Sequence, residues 1–200
     1  MKKIVLMAVV MLTSVATYAQ HAVGSVALKP MVGVTLANVT DLSADMKVGL
    51  VAGGELEYQM TDRFSLSGGL LYSMEGCKFD ANYGSVANVK TKYNLEYLNV
   101  PILANFYVAP GFALKAGIQP GFKMNAKYKT DGNVAGFSGS TEGDIDGFNS
   151  VNFSIPVGLS YEFSDFVIDA RYNWGISKII DNTDCKSSVF QFTLGYKFDL

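Results

Sequence analysis

The sequence predicts an all-β chain: eight antiparallel strands closed, up-and-down, into a transmembrane β-barrel. The first observation is the stretch from Tyr93 to Tyr128, two long alternating runs joined at Ala109-Pro110-Gly111. In its second run Phe112, Leu114, Ala116, Ile118, Pro120, Phe122, Met124, Ala126 and Tyr128 share one parity. Ala113, Lys115, Gly117, Gln119, Gly121, Lys123, Asn125 and Lys127 share the other. Strand side chains alternate between faces, so one face is apolar and the other small, polar and cationic. Runs of ~15 residues exceed the ~5–6 usual in soluble sheets and suit strands with lipid on one side and a polar lumen on the other.

The second observation is composition. Charged residues are 17% and hydrophobic residues 49% of the 200, with 20 glycines. A soluble barrel of this size needs a solvated outer face, and an average soluble domain carries ~25% charge. The third is the spacing of the connections. Those near residues 61, 110 and 164 are short, and those near 42, 84, 140 and 183 are long. Outer-membrane barrels have short periplasmic turns and long external loops, with both termini on the periplasmic side.

The N-terminus has the form of an export leader. Lys2 and Lys3 precede an apolar run from Ile4 to Val15, and Thr17-Tyr18-Ala19 is a small-x-small cleavage site. The expected division is a cleaved signal peptide over 1–19 and a barrel domain over 20–200. Losing Lys2 and Lys3 leaves 14 basic against 18 acidic residues, a formal charge of −4, which carries no footprint for nucleic acid. Beyond the leader no apolar run reaches the ~18 residues of a spanning helix, so a closed barrel is the remaining way to satisfy the backbone in lipid.

The strands follow in order. The first runs over about 26–36, with Val26, Leu28, Pro30, Val32, Val34 and Leu36 toward lipid. The second, 47–59, turns Leu50, Leu56 and Tyr58 outward and Glu55 and Glu57 inward. The third, 64–77, faces Phe64, Leu66, Leu70 and Tyr72 to lipid and Ser65, Ser67, Ser73 and Glu75 inward. The fourth and fifth are the hairpin already described, the fourth with Tyr97, Asn99, Pro101, Leu103 and Asn105 inward. The sixth, 151–163, turns Phe153, Ile155, Val157 and Leu159 outward. The seventh, 166–177, turns Ile168, Tyr172 and Trp174 outward and Asp169, Arg171 and Asn173 inward. The eighth carries Phe190, Phe192, Leu194 and Tyr196 outward and Gln191, Thr193, Lys197 and Asp199 inward. The segments 38–46, 78–90, 130–149 and 179–187 are read as external loops, the surfaces for protein partners.

Aromatics mark the two edges of the lipid belt. Tyr58, Phe64, Phe106, Phe112, Tyr161, Phe163, Phe166 and Phe198 lie toward the short turns, and Tyr72, Phe122, Tyr128, Tyr172, Trp174 and Phe190 toward the long loops. Pro101, Pro120 and Pro156 fall inside strands, where each deletes a ladder donor and a local bulge or kink is expected. Cys77 and Cys185 fall near loop ends on the same side; a disulfide and two free thiols both fit.

Several segments resemble a known family. They are Tyr97-Leu98-Asn99-Val100-Pro101-Ile102-Leu103, Ala116-Gly117-Ile118-Gln119-Pro120-Gly121, Gly158 to Phe163, Asp169 to Gly175, and Phe190 to Phe198. Together they are similar to the PorT-family outer-membrane β-barrel proteins of the Bacteroidetes. The resemblance implies an integral outer-membrane barrel; the family's namesake belongs to a secretion and gliding apparatus. Asn99 departs from the acidic residue frequent in the motif, and the chain ends Asp199-Leu200 instead of at the aromatic.

No catalytic, cofactor-binding or metal-binding residue is read from the sequence. His21 is the only histidine and lies outside the strand pattern, so no Ser-His-Asp arrangement fits the lumen. Asp144-Ile145-Asp146-Gly147 lacks the further ligands of a calcium loop. The inward charges are more informative. Glu55, Glu57, Lys115, Lys123, Asp169, Arg171 and Lys197 form the predicted lumen network, with Glu75, Glu162, Lys127 and Asp199 on the same parity. Eight strands leave an interior just wide enough for side chains to fill, and buried charges need partners. The expected protein is therefore a non-enzymatic barrel in outer-membrane lipid with a plugged lumen and a structural, partner-binding or secretion-associated role. A small-solute channel and a soluble ligand-binding barrel are the alternatives.

Overall fold

The computed structural model describes residues 22–40, 45–83, 87–134, 137–144, 149–179 and 185–200. The leader at 1–19, His21 and residues 145–148 lie outside them. Eleven strand segments form: β1 (Val26–Val39), β2 (Asp45–Thr61), β3 (Phe64–Tyr83), β4 (Ala87–Asn99), β5 (Ile102–Ala109), β6 (Phe112–Val134), β7 (Phe137–Asp144), β8 (Val151–Phe163), β9 (Phe166–Lys178), β10 (Lys186–Tyr196) and β11 (Phe198–Asp199). They merge into eight antiparallel staves, because β4 with β5, β7 with β8 and β10 with β11 each occupy one place in the ring. Met31 opposite Gly195 and Ala27 opposite Asp199 close the ring, so the first and last staves pair, while β7 extends above it paired with β6.

Alternation of burial follows the predicted parity over most of the wall. Val32, Leu50, Leu70, Ile118, Ile168 and Leu194 stand on the outer face, each more than half exposed. A continuous apolar exterior of this extent marks a lipid-facing surface. The three short turns are where the spacing puts them, and Gly111 takes φ 71° in the turn joining β5 to β6.

Three expectations change. The segments 78–90, 130–149 and parts of 38–46 and 179–187 are not simply loops. Asn38 and Val39 still pair with Ser188 and Ser187, Lys78 to Tyr83 with Ala87 to Lys92, and Thr130 to Val134 with Phe137 to Thr141. Asn, Gly and Ser are weak strand formers, but a strand leaving a closed ring already has a neighbour to hydrogen-bond, so the ladder continues.

A bulge or kink is the expectation at the prolines; no register shift occurs at any of them, and Pro101 with Val100 interrupts the strand between β4 and β5. Asn99 pairs with Gly121 and Ile102 with Ile118, so the register runs unshifted through Pro101. The Pro101 carbonyl still accepts from Gly69 N–H at 3.0 Å, and the Pro120 carbonyl from Val100 N–H at 2.8 Å. Pro101 and Pro120 each remove a donor and keep an acceptor.

Register shifts lie elsewhere, at Met46–Val51 on β2, at Lys186–Ser188 on β10 and, with most effect on parity, at Met124. Tyr97 pairs with Lys123 and Glu96 with Asn125, so Met124 is an extra residue and parity reverses beyond it. Ala126 and Tyr128, read as lipid-facing, turn to the inner face, where Ala126 is buried. Lys127, read as inward, goes to the outer face.

Candidate functional site

The lumen has three levels. At the short-turn half, eight ionisable side chains are buried together: Lys29, Lys115, Arg171 and Lys197 against Glu55, Glu57, Glu162 and Asp169. Their placement follows from register. Lys29 lies opposite Glu55 on adjoining staves, and Lys115 and Arg171 both lie opposite Gly158 on β8. A Cβ at Gly158 would stand 2.7 Å from Arg171 Cβ, so the absence of a side chain there makes room for the guanidinium stem. Gly69 does the same for Glu55, whose Cγ would be 2.6 Å from a Cβ at 69.

Glu55, 1% exposed, is the hub. Arg171 Nη1 donates to its Oε1 at 2.8 Å, Lys115 Nζ to its Oε2 at 3.5 Å, and Lys29 Nζ lies 3.8 Å away. Arg171 also clasps Asp169 in a two-pronged contact, Nε to Oδ1 at 2.7 Å and Nη2 to Oδ2 at 2.9 Å. Lys115 closes on the same carboxylate at 2.6 Å. A second group forms around Glu57, which accepts from Lys29 and Ser65 and from Tyr107 Oη at 2.6 Å. Lys197 bridges both Glu162 oxygens at 3.3 Å and approaches Glu57 at 4.0 Å. Four cations and four anions balance, and every carboxylate has a cation in reach, which is the condition for holding such groups out of water.

The middle level is neutral. Gln119 and Asn173 project inward there, Asn105 opposite Lys115 and Gln191 opposite Arg171 border the charged level, and Asn105 Oδ1, Gln119 Oε1, Asn173 Oδ1 and Gln191 Nε2 have no protein hydrogen-bond partner among the described residues. Glu75 sits at the upper edge of this level, held by uncharged donors: Ser73 Oγ at 2.9 Å, Asn99 Nδ2 at 3.3 Å and Ser187 Oγ at 3.4 Å. An acidic residue at 99 would set a second buried carboxylate against Glu75. Asn99 supplies a donor instead.

Toward the long loops the inner face becomes apolar. Val39, Cys77, Leu95, Tyr97, Ala126, Ile179 and Cys185 pack as one buried cluster, with Tyr93 against it. Both cysteines are free thiols there, so of the two expectations the structure has the unbridged one.

Of the predicted network, Glu55, Glu57, Lys115, Asp169, Arg171 and Lys197 come together. Lys123 does not join them: it is inward and half-buried, but opposite Tyr97, a level above. Asp199 is exposed at the short-turn rim. Lys29 and Tyr107 are the residues that sequence reasoning missed. Their parity signals them, since Lys29 alternates with Leu28 and Pro30, and Tyr107 continues the row of Leu103 and Asn105. Reading the first strand only by its apolar face hid Lys29.

Comparison with known proteins follows this geometry. A family described as "Outer membrane protein beta-barrel domain" matches residues 18–181. No curated protein matches. Among solved structures, the attachment invasion locus protein Ail of Yersinia pestis, in complex with the heparin analogue sucrose octasulfate, aligns over 88% of this chain and 100% of its own at 17% identity and TM-score 0.52. Neisserial surface protein A aligns over 86% of this chain and 97% of its own at 11% identity and TM-score 0.44. The outer membrane protein OprG of Pseudomonas aeruginosa aligns over 90% and 98% at 13% identity and TM-score 0.38. At these identities the likeness to Ail is one of fold.

Proposed function

The chain belongs to the outer membrane protein beta-barrel domain family, and from that premise we propose a non-enzymatic barrel with a plugged lumen that acts through its external end. As an integral outer-membrane barrel it is set apart from the soluble ligand-binding alternative. Export would use the leader over 1–19, and the long-loop end would face outward as in other outer-membrane barrels.

The observation that carries the plugged reading is the Glu55 hub, with three cations from three other staves converging on one buried carboxylate. Such a crosslink opposes passage of solutes, and its members are too enclosed to reach a substrate, which supports the absence of catalysis. The extended hairpins at β3–β4 and β6–β7 offer backbone-ordered surface for a protein partner. The segments quoted above further support a place among the PorT-like barrels and a secretion-associated role.

A small-solute channel is the second reading, and the amides of the middle level favour it, since unpartnered polar atoms suit a hydrated path. Planar-bilayer recording on the purified chain separates the two. The plugged reading expects a silent bilayer, and stable, discrete open levels would replace it with the channel.

A further inference from the structure

Charge balances in the lower knot, four cations against four anions, and one buried carboxylate stands outside it. Glu75 is 6% exposed and makes no ion pair among the described residues. Its carboxylate accepts only from neutral groups, Ser73 Oγ, Asn99 Nδ2 and Ser187 Oγ. Lys47 Nζ goes to the Glu75 main-chain carbonyl at 2.8 Å, not to the carboxylate. A carboxylate held out of water without a counter-charge is costly, so a cation or a proton must compensate it.

Three further atoms decide between the two. Gln119 Oε1, Asn173 Oδ1 and Tyr97 Oη have no hydrogen-bond partner among the described residues. Gln119 and Asn173 are 3% exposed and Tyr97 1%. All three atoms are oxygens able to accept. Register gathers them around Glu75. Ser187 is on β10, three places round the ring from β3, so the Glu75 carboxylate reaches across the lumen. Asn173 lies opposite Val189, the inward residue next to Ser187. On the other side the Asn99 side chain lies over Gly121, where a Cβ would stand 2.3 Å from its Oδ1, and Gln119 is the next inward residue of β6. Tyr97 lies opposite Ser73, and the Glu75 charge acts on its hydroxyl. The interior of an eight-stranded barrel is only as wide as its side chains, so inward groups of one level meet.

A proton would neutralise Glu75 and leave the three acceptors as they are. A cation takes oxygen from all four. Carboxylate, amide and hydroxyl oxygens are ligands of hard cations, and one negative charge among neutral oxygens matches a single positive one. We propose that Glu75, Gln119, Asn173 and Tyr97 form a lumen site for a monovalent alkali cation, with Glu75 supplying the charge. The site lies between the charge knot and the apolar cluster and does not depend on whether the knot plugs the barrel.

The test uses the full chain refolded from urea into phosphatidylcholine vesicles at mildly alkaline pH. The salt is sodium, potassium or choline chloride at one ionic strength. Refolding in each salt loads the site even if the closed barrel admits no ions. At about ten times its Kd, the better alkali ion should raise the folded-to-unfolded ratio roughly elevenfold over choline. Glu75→Gln, neutral and of the same shape, should lose that gain and fold in choline at least as well as wild type. Gln119→Leu should weaken the gain. Gln59→Leu removes a buried amide at the short-turn end, also with an unpartnered oxygen, and should keep it. Equal ratios in all three salts, or a full gain in Glu75→Gln, overturn the proposal. A wild-type midpoint that follows pH but ignores both alkali ions would assign the compensating charge to a proton and overturn it as well.

Discussion

Arg171 and Glu55 meet at 2.8 Å although 116 residues and three places around the ring separate them. Their contact ties β9 to β2 across the lumen, with Lys115 and Asp169 attached to the same knot. Glu55→Lys would place a fourth cation among three. Breaking a buried pair costs ~3–5 kcal/mol, whereas Leu194→Val trims one methylene on a face that lipid refills. Urea unfolding in lipid, followed by gel mobility of folded and unfolded forms, should show a large midpoint drop for Glu55→Lys and a small one for Leu194→Val. Equal small losses would mean a wet lumen.

Lys115 and Asp169, 2.6 Å apart, should couple. Lys115→Met and Asp169→Leu each leave an uncompensated charge in the knot. The double variant removes both, so its loss of stability should be smaller than the two single losses added together. Additive losses in the same unfolding assay would show that the pair is energetically independent.

Two adjacent glycines should behave oppositely. A Cβ at Gly69 would meet Glu55 Cγ at 2.6 Å and the Gly54 carbonyl at 2.7 Å, while one at Gly68 meets nothing within 4 Å. Gly69→Val should therefore destabilise by ~1–3 kcal/mol through overpacking. Gly68→Val, on the lipid side, should be neutral or better, since glycine inside a strand costs ~0.5–1 kcal/mol. Their urea midpoints would move in opposite directions from wild type.

Cys77 and Cys185 lie within the apolar cluster, each 4% exposed. A charged maleimide should fail to label the folded barrel and should label two thiols after unfolding without reductant. Unlabelled thiols in the unfolded chain would reveal a disulfide and contradict the free state.

An epitope inserted between Val134 and Phe137, where β6 and β7 end, should be reached by antibody on intact cells. Access only after rupture of the outer membrane would invert the topology.

Alternation alone determined the architecture. Eight two-faced runs, three short turns and a sparse complement of charge are local properties of the chain, and a ring of antiparallel staves is the arrangement that satisfies them in lipid. The inward parity of Glu55, Lys115, Asp169 and Arg171 was legible for the same reason. Register decided what remained. Which cation meets which carboxylate depends on the stagger of strands far apart in sequence, so Lys29 and Tyr107 emerge as members only once β1, β2, β5 and β8 stand around one lumen. The extra residue at Met124 leaves no mark in the alternation of β6, because its effect appears only against the partner strand β4. Counting onward from Phe112 sends Lys127 inward and Tyr128 to lipid; pairing reverses both and, in doing so, brings Lys129 level with Lys92 on the outer wall. A strand's period is written in its own residues, whereas its phase is set by the neighbour to which it is hydrogen-bonded.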